Sequence, residues 1–318
     1  MQKLTPTGDN IYTFAYTEDE EALCQLEMRS FFGKDTKAKV LQSSAQVDPS
    51  RSPFIKERIE VLFQSEDLEE MLCHMEHVKM GNETFKVIFV KINDLPAAEK
   101  VEFQEKRVIE RQLGQVIEGE ADVHHPDRTF GLAAFEGRWY FGHYLQSEAV
   151  WFRHQKKPRV YSTALSTRVA RAVANIAVPE LQGKRVIDPC CGIGTVLVEG
   201  LSMGMDIVGR DINPLVVDGS RENIAYFGLT GTVELGPIED IEMDYDVAII
   251  DMPYNLYTSA TPEDQTSILV HAGNITEKLV VVTLDSVDHM VKQAGFRITD
   301  RCIAKKAGFE REILVCEK

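Results

Sequence analysis

The spacing of apolar residues divides the chain into two regimes that meet near residue 150. Before that point, short alternating runs are mixed with stretches of helical period. "NIYTFAY", "AKVLQSSAQVD" and "RIEVLFQS" read as strands, and "EDEEALCQLEMRSFF" as a helix. "EDLEEMLCHMEHV" places Leu68, Met71, Leu72 and Met75 on one helical face. "TFKVIFVKI" is a strong strand. "VEFQEKRVIERQLGQVI" predicts an amphipathic helix with apolar points at Val101, Val108, Leu113 and Val116. "RTFGLAAFEGRWYFGHYL" predicts a hairpin turning at Glu136-Gly137. This half is α+β.

After residue 150, strand and helix alternate, which predicts a parallel sheet covered on both faces. The strands are "RVIDP", "DIVGRD", "TVEL", "DVAIID" and "LVVVTLD". The helices include "STRVARAVANIAV", "TVLVEGLSM", "PLVVDGSRENIAYF" and "SVDHMVKQAG". Asn213-Pro214 supplies the third with a cap and a proline in its first turn. The closing strands "FRITDRCIA" and "REILVCEK" predict an antiparallel edge hairpin.

The 318 residues suffice for about two domains. No apolar run approaches the ~20 residues of a membrane span, and the first residues lack the apolar core of a secretory signal, so the expected compartment is the cytoplasm. The six cysteines show neither a CxxC pair nor zinc spacing and read as reduced thiols. A formal charge of −15 speaks against a general nucleic-acid binder. Its distribution changes that picture. Residues 151–186 carry eight basic residues against Glu180 alone, so a basic segment joins two acidic halves. It is either a solvated connector or a seam that meets phosphates.

"VIDPCCGIGTVLVEG" (186–200) follows a strand and opens a helix. Gly192 and Gly194 allow a sharp turn and close approach to a ligand. The third glycine of a dinucleotide loop falls on Leu197, and no Gly-Lys-Ser/Thr follows, so neither an NAD fingerprint nor a P-loop is complete. Asp188, at the strand end, can hold an amino group. Asp211, ending the next strand, can accept two bonds from a ribose. Acid, glycine turn and second acid describe a site for S-adenosylmethionine. A tight turn without ligand is the plain alternative.

"DPCCGIGT", "GRDINP" and "DMPY", in this order, resemble the motifs of class I methyltransferases that modify exocyclic amines. "RVYSTALSTRVARAVANIA" is similar to the helix that closes over the methionine end of the cofactor, and "ADVHHPDRTFGLAAFEGRWYFGHY" to the end of a THUMP domain, a module that binds tRNA. Together they resemble the THUMP-containing tRNA guanine-N2 methyltransferases of the UPF0020 type. The resemblance implies a Rossmann-like, seven-stranded, mostly parallel sheet behind an α+β front. It implies a ferredoxin-like piece at 1–50, a THUMP-like domain at 51–147, a basic linker and helix at 148–182, and the methyltransferase domain at 183–318. Ser162, Thr163, Asp188, Cys190, Gly192, Gly194, Thr195, Asp211, Ile212, Ile238 and Asp240 would contact S-adenosylmethionine. Asp251, Met252, Pro253 and Tyr254 would hold the target amine. The expected partner is tRNA, with neither metal nor membrane.

Two positions depart from the family pattern. Pro237 stands where an acid usually contacts the adenine, with Asp240 as the expected substitute, and Met252 stands where proline is usual. An exocyclic amine is a poor nucleophile because its lone pair is delocalised. The Asp251 carboxylate and the main-chain carbonyl of Met252 are suited to hold its hydrogens, Tyr254 to stack on the base, and Pro253 to stiffen the turn. The same turn serves guanine or adenine, and a relic fold that only binds RNA is the third reading. His124-His125 read as surface or RNA-facing, Cys190-Cys191 as small loop residues, Trp139-Tyr140 as hairpin core, and 153–171 as an RNA seam.

Overall fold

The computed structural model describes residues 5–36, 38–161, 164–253, 261–306 and 309–318. The first half forms β1 (Asn10–Phe14), α1 (Glu21–Phe32), β2 (Val40–Ser43), β3 (Ile55–Ser65), α2 (Leu68–Met75), β4 (Lys79–Phe89), α3 (Phe103–Val116), β5 (Glu118–Ala121), β6 (Arg128–Phe135) and β7 (Arg138–Gln146). The second forms α4 (Thr167–Ala177), β8 (Arg185–Asp188), α5 (Thr195–Ser202), β9 (Asp206–Asp211), α6 (Pro214–Tyr226), β10 (Thr232–Leu235), β11 (Tyr245–Asp251), α7 (Pro262–Ile275), β12 (Thr276–Thr283), α8 (Asp288–Gln293), β13 (Arg297–Lys306) and β14 (Phe309–Glu317). Among the described residues no helix is long and apolar enough to cross a membrane.

The chain folds into two compact units, and they are not divided at residue 50. One comprises Met1–Ala15, Thr36–Ser50 and Phe54–Glu148; the other comprises Tyr16–Asp35, Arg51–Pro53 and Ala149–Lys318. The front piece expected at 1–50 is therefore split. Its strands β1 and β2 join the sheet of β3 to β7, while α1 belongs to the unit that contains β8 to β14.

In the first unit the sheet order is β2-β1-β3-β7-β6-β4-β5. The expected hairpin is present: Phe135 pairs with Arg138, and Glu136 and Gly137 take φ of 50° and 71°. Both positive φ values belong to the tight turns that match strand twist. Met71, Met75, Ile109 and Leu113 pack with Phe85, Phe130 and Phe141 in one core. On α3 the buried points are Ile109 and Leu113, one helical turn apart; Val108, an expected core position, is 53% exposed. β5 gave no apolar signal because all four of its residues are exposed.

In the second unit the order is β10-β9-β8-β11-β12-β14-β13, parallel except for β14, which runs antiparallel to both neighbours. Ile250, Leu269, Leu279, Val281 and Leu314 fill one core of this sheet. Behind it lies a buried polar network. Glu199 of α5, with no solvent exposure, accepts from Arg171 Nη1 at 2.8 Å and contacts His154 Nδ1 at 2.8 Å. Arg171 Nε donates to the carbonyl of Arg51 at 2.7 Å. Asn175 Nδ2 donates to Glu27 Oε1 at 2.7 Å, and Ser52 Oγ donates to the other oxygen of Glu27. Charges removed from water persist only when paired and hydrogen-bonded, so these contacts tie α1 and Arg51–Pro53 to α4 and α5.

Burial pushes the Glu27 carboxyl from 4.5 to about 7, against its hydrogen bonds to Ser52 and Asn175. The folded state thus keeps a proton that the unfolded chain releases near pH 4.5, and this group makes stability fall as pH rises from about 4.5 through 7. Glu27→Gln keeps a donor for Ser52 and an acceptor for Asn175. It is expected to remove that slope, gaining on wild type by about 2–3 kcal/mol between pH 5 and 8 in urea unfolding. A pH slope unchanged from wild type would contradict the assignment.

Candidate functional site

Three strands deliver one acid each to the same edge of the parallel sheet. β8 ends at Asp188, its neighbours β9 and β11 at Asp211 and Asp251. All three line a cavity of about 630 Å³. Ligands of open α/β sheets sit at the carboxyl ends of the strands, and this volume lies in the usual range for a small-molecule site.

The glycine loop is shaped for that place. Gly194 caps α5 with φ of 74°, and a Cβ there would lie 2.2 Å from Ser220 Oγ. Gly192 has φ of 53°, with nothing near the side a Cβ would occupy; the cavity wall passes there as bare backbone. Asp211 braces the loop, accepting from Gly192 N–H at 2.9 Å with one oxygen and from Asn213 N–H at 2.9 Å with the other. Thr195 lines the cavity and accepts from Lys157 Nζ at 2.8 Å. Cys190, Ile212 and Ile238 also line it.

The electrostatics are those of a site awaiting a cation. Asp188 is buried, and burial, then the charges of Asp251 and Asp211, push its carboxyl well above the usual range. Burial pushes Asp251 to about 7, with Arg311 opposing. Its Oδ1 is buried without a hydrogen-bond partner among the described residues. The Cys190 thiol is pushed up by burial and by the same acids, so it stays neutral. A positively charged ligand relieves all of these costs at once.

Several sequence expectations need correction. Asp240 does not line the cavity; it lies 67% exposed, 3.9 Å from Arg210 Nη2. Its neighbour Glu239 lines the cavity instead, accepting from Ser267 Oγ at 3.2 Å. Ser267 lies on α7, a helix the sequence reading left out, although Thr261-Pro262 and Asp264 spell a capping box with proline in the first turn. Met252 reaches the cavity, yet it is 1% exposed and packs with Ile250, Leu269 and Leu279 in the core. The methionine side chain is thus part of the core beneath the cavity. Nor is the stretch 153–171 a uniform basic seam: Arg171 is buried against Glu199, Arg168 pairs with Glu20, and Arg159 pairs with Glu222. Ser162, Thr163 and Tyr254 lie outside the described residues.

The residues present fit S-adenosylmethionine, whose sulfonium and ammonium suit the acid-lined cavity and whose ribose suits the end of β9. The fold and site together define a class I methyltransferase unit. Residues 154–269 match the family UPF0020, described as "RMKL-like, methyltransferase domain". The chain is similar to the tRNA (guanine(10)-N2)-dimethyltransferase of Methanothermobacter thermautotrophicus, 31% identical over 52% of this chain and 46% of that protein. It is also similar to the U6 snRNA (guanine-N(2))-methyltransferase THUMPD2 of Mus musculus, 33% identical over 30% of this chain and 19% of that one. The aligned part thus spans less than half the length of either relative. Among solved structures, TrmN from Thermus thermophilus aligns over 98% of this chain and 99% of its own at 16% identity and a TM-score of 0.48.

Two outcomes are expected. Glu239→Gln weakens S-adenosylmethionine binding by about tenfold in calorimetry, as for a lost charge-assisted hydrogen bond, while Asp240→Asn leaves it unchanged. Met252→Pro loses the N–H that donates to the Val282 carbonyl at 2.8 Å and a buried side chain. It should lower stability by about 2–4 kcal/mol in denaturant unfolding.

Proposed function

We propose that this protein transfers a methyl group from S-adenosylmethionine to the exocyclic N2 amine of a guanine in RNA, with tRNA as the substrate. The observation that carries the reading is Asp251. Its carboxylate ends the strand beside the glycine loop, faces the acid-lined cavity, and has a buried oxygen without a partner. A buried acceptor of this kind is matched by an incoming N–H donor.

S-adenosylmethionine supplies an electrophilic methyl group when bound. Asp188 receives its ammonium end, Asp211 and Gly192 shape the ribose side, and Glu239 and Ile238 bound the adenine side. Asp251 accepts a hydrogen of the target amine and directs the nitrogen lone pair. With its carboxyl raised to about 7, it is also suited to take the amine proton near neutral pH. Tyr254 follows as the stacking partner for the base.

Guanine and RNA are favoured because both relatives are described as guanine-N2 methyltransferases of RNA. The first unit is read as a THUMP-like RNA-binding domain from its sequence resemblance, and the reaction is placed in the cytoplasm. Arg153 and Lys156, both exposed, are the residues of the basic segment best placed to meet phosphates.

Incubation with labelled S-adenosylmethionine and unmodified tRNA should give N2-methylguanosine on digestion. Asp251→Ala should lower the rate at least about 100-fold while calorimetric cofactor binding persists. Methylated adenosine in the digest would move the target to adenine N6. A folded protein that binds no cofactor would mark a relic.

A further inference from the structure

The turn that follows Asp251 carries one proline, Pro253, and hydrogen bonds hold it from both ends. Met252 N–H donates to the carbonyl of Val282 at 2.8 Å, one residue beyond the β11–β12 ladder. The next carbonyl, that of Pro253, accepts from the side-chain amide of Gln265 at 2.8 Å. The residue pair Met252–Pro253 is therefore held at its start by β12 and at its end by α7. Gln265 is partly buried, and its helix is anchored by the capping box at Thr261 and Asp264 and by Leu269 and Ala272 in the core.

α7 also reaches the other end of the same cavity. Ser267 Oγ donates to Glu239, and His271 Nδ1 lies 2.8 Å from the Ser267 carbonyl and 3.8 Å from Glu239. Gln265 and Ser267 thus set the two walls of the site from one helical turn. Main-chain carbonyls beside a reacting amine act only when held in place before reaction. Where a second proline ring is absent, a fixed hydrogen bond to the following carbonyl supplies that restraint.

We propose that Gln265 is a positioning residue for methyl transfer, fixing the 252–253 turn beside Asp251 without itself contacting the substrate. This rests on the methyl-transfer reading of the site. Gln265→Met keeps the size of the side chain but removes the donor. Gln265→Glu keeps the shape and sets a carboxylate against the Pro253 carbonyl.

With wild-type protein and its methyl-accepting RNA, the methionine variant should lose about tenfold in kcat, as for one lost hydrogen bond. The glutamate variant should lose more. KM for RNA and the calorimetric Kd for S-adenosylmethionine should stay within twofold. That order separates the hydrogen bond from packing, since the two variants fill nearly the same space. Hydrogen exchange provides an arm that needs no activity: the Met252 amide should exchange about tenfold faster in both variants. Failure of wild type to methylate any RNA would refute the functional reading, leaving the exchange arm to judge the clamp. A kcat within twofold of wild type in both variants, or Met252 exchange unchanged in both, overturns the proposal.

Discussion

A carboxylate taken out of water must find a partner, and the second unit is organised by how each of its buried acids does so. Glu199 has Arg171 and His154. Glu27 has Ser52 and Asn175. Asp211 has two backbone N–H groups, those of Gly192 and Asn213. Except for the local Asp211–Asn213 contact, these partnerships join separate elements or loops, so the requirement for satisfaction becomes a requirement for one chain path. Asp188 and Asp251 are the exceptions. Asp188 has one long bond, 3.4 Å from Cys190 N–H, and Asp251 retains an unmatched oxygen. All three strand-end acids line the cavity, but Asp211 is braced by backbone N–H groups, whereas Asp188 and Asp251 are the less satisfied pair.

The division of labour between strand ends and helices follows from this. Parallel strands register their last residues side by side, which places acids of like charge together at a cost no free protein would retain without use. The loop glycines bring backbone close enough to share the cavity, and α7 closes it from the other side. The chemistry assigned to Asp251 then depends on its own carboxylate and on the order imposed around it.

The sequence disclosed what depends on local spacing. The glycine loop, the acids at 188, 211 and 251, and the hairpin at Glu136-Gly137 are each written in a few adjacent residues and stand in the structure where that spacing implied. What stayed hidden depends on distant partners. Asp240 is the acid the sequence offers in place of Pro237, but which residue of that short turn faces the cavity depends on Ser267, 28 residues from Glu239, which donates to it. Val108 and Ile109 are equally apolar neighbours; only the packed sheet selects the second. Met252 looked like a disrupted motif because its core contacts lie in β12 and α7. α7 itself was legible from its capping box, and was missed because its face is only partly apolar.

The threading of α1 gives the chain a temporal asymmetry. Glu27 emerges from the ribosome long before Asn175, and Arg51 long before Arg171, because synthesis runs in one direction while these bonds close over 148 and 120 positions. Domains usually mature in the order they are made. Here α1 must wait, with Glu27 only partly matched, until α4 exists to receive it. No single cut yields both units whole, because Tyr16–Asp35 and Arg51–Pro53 of the second unit interrupt the first.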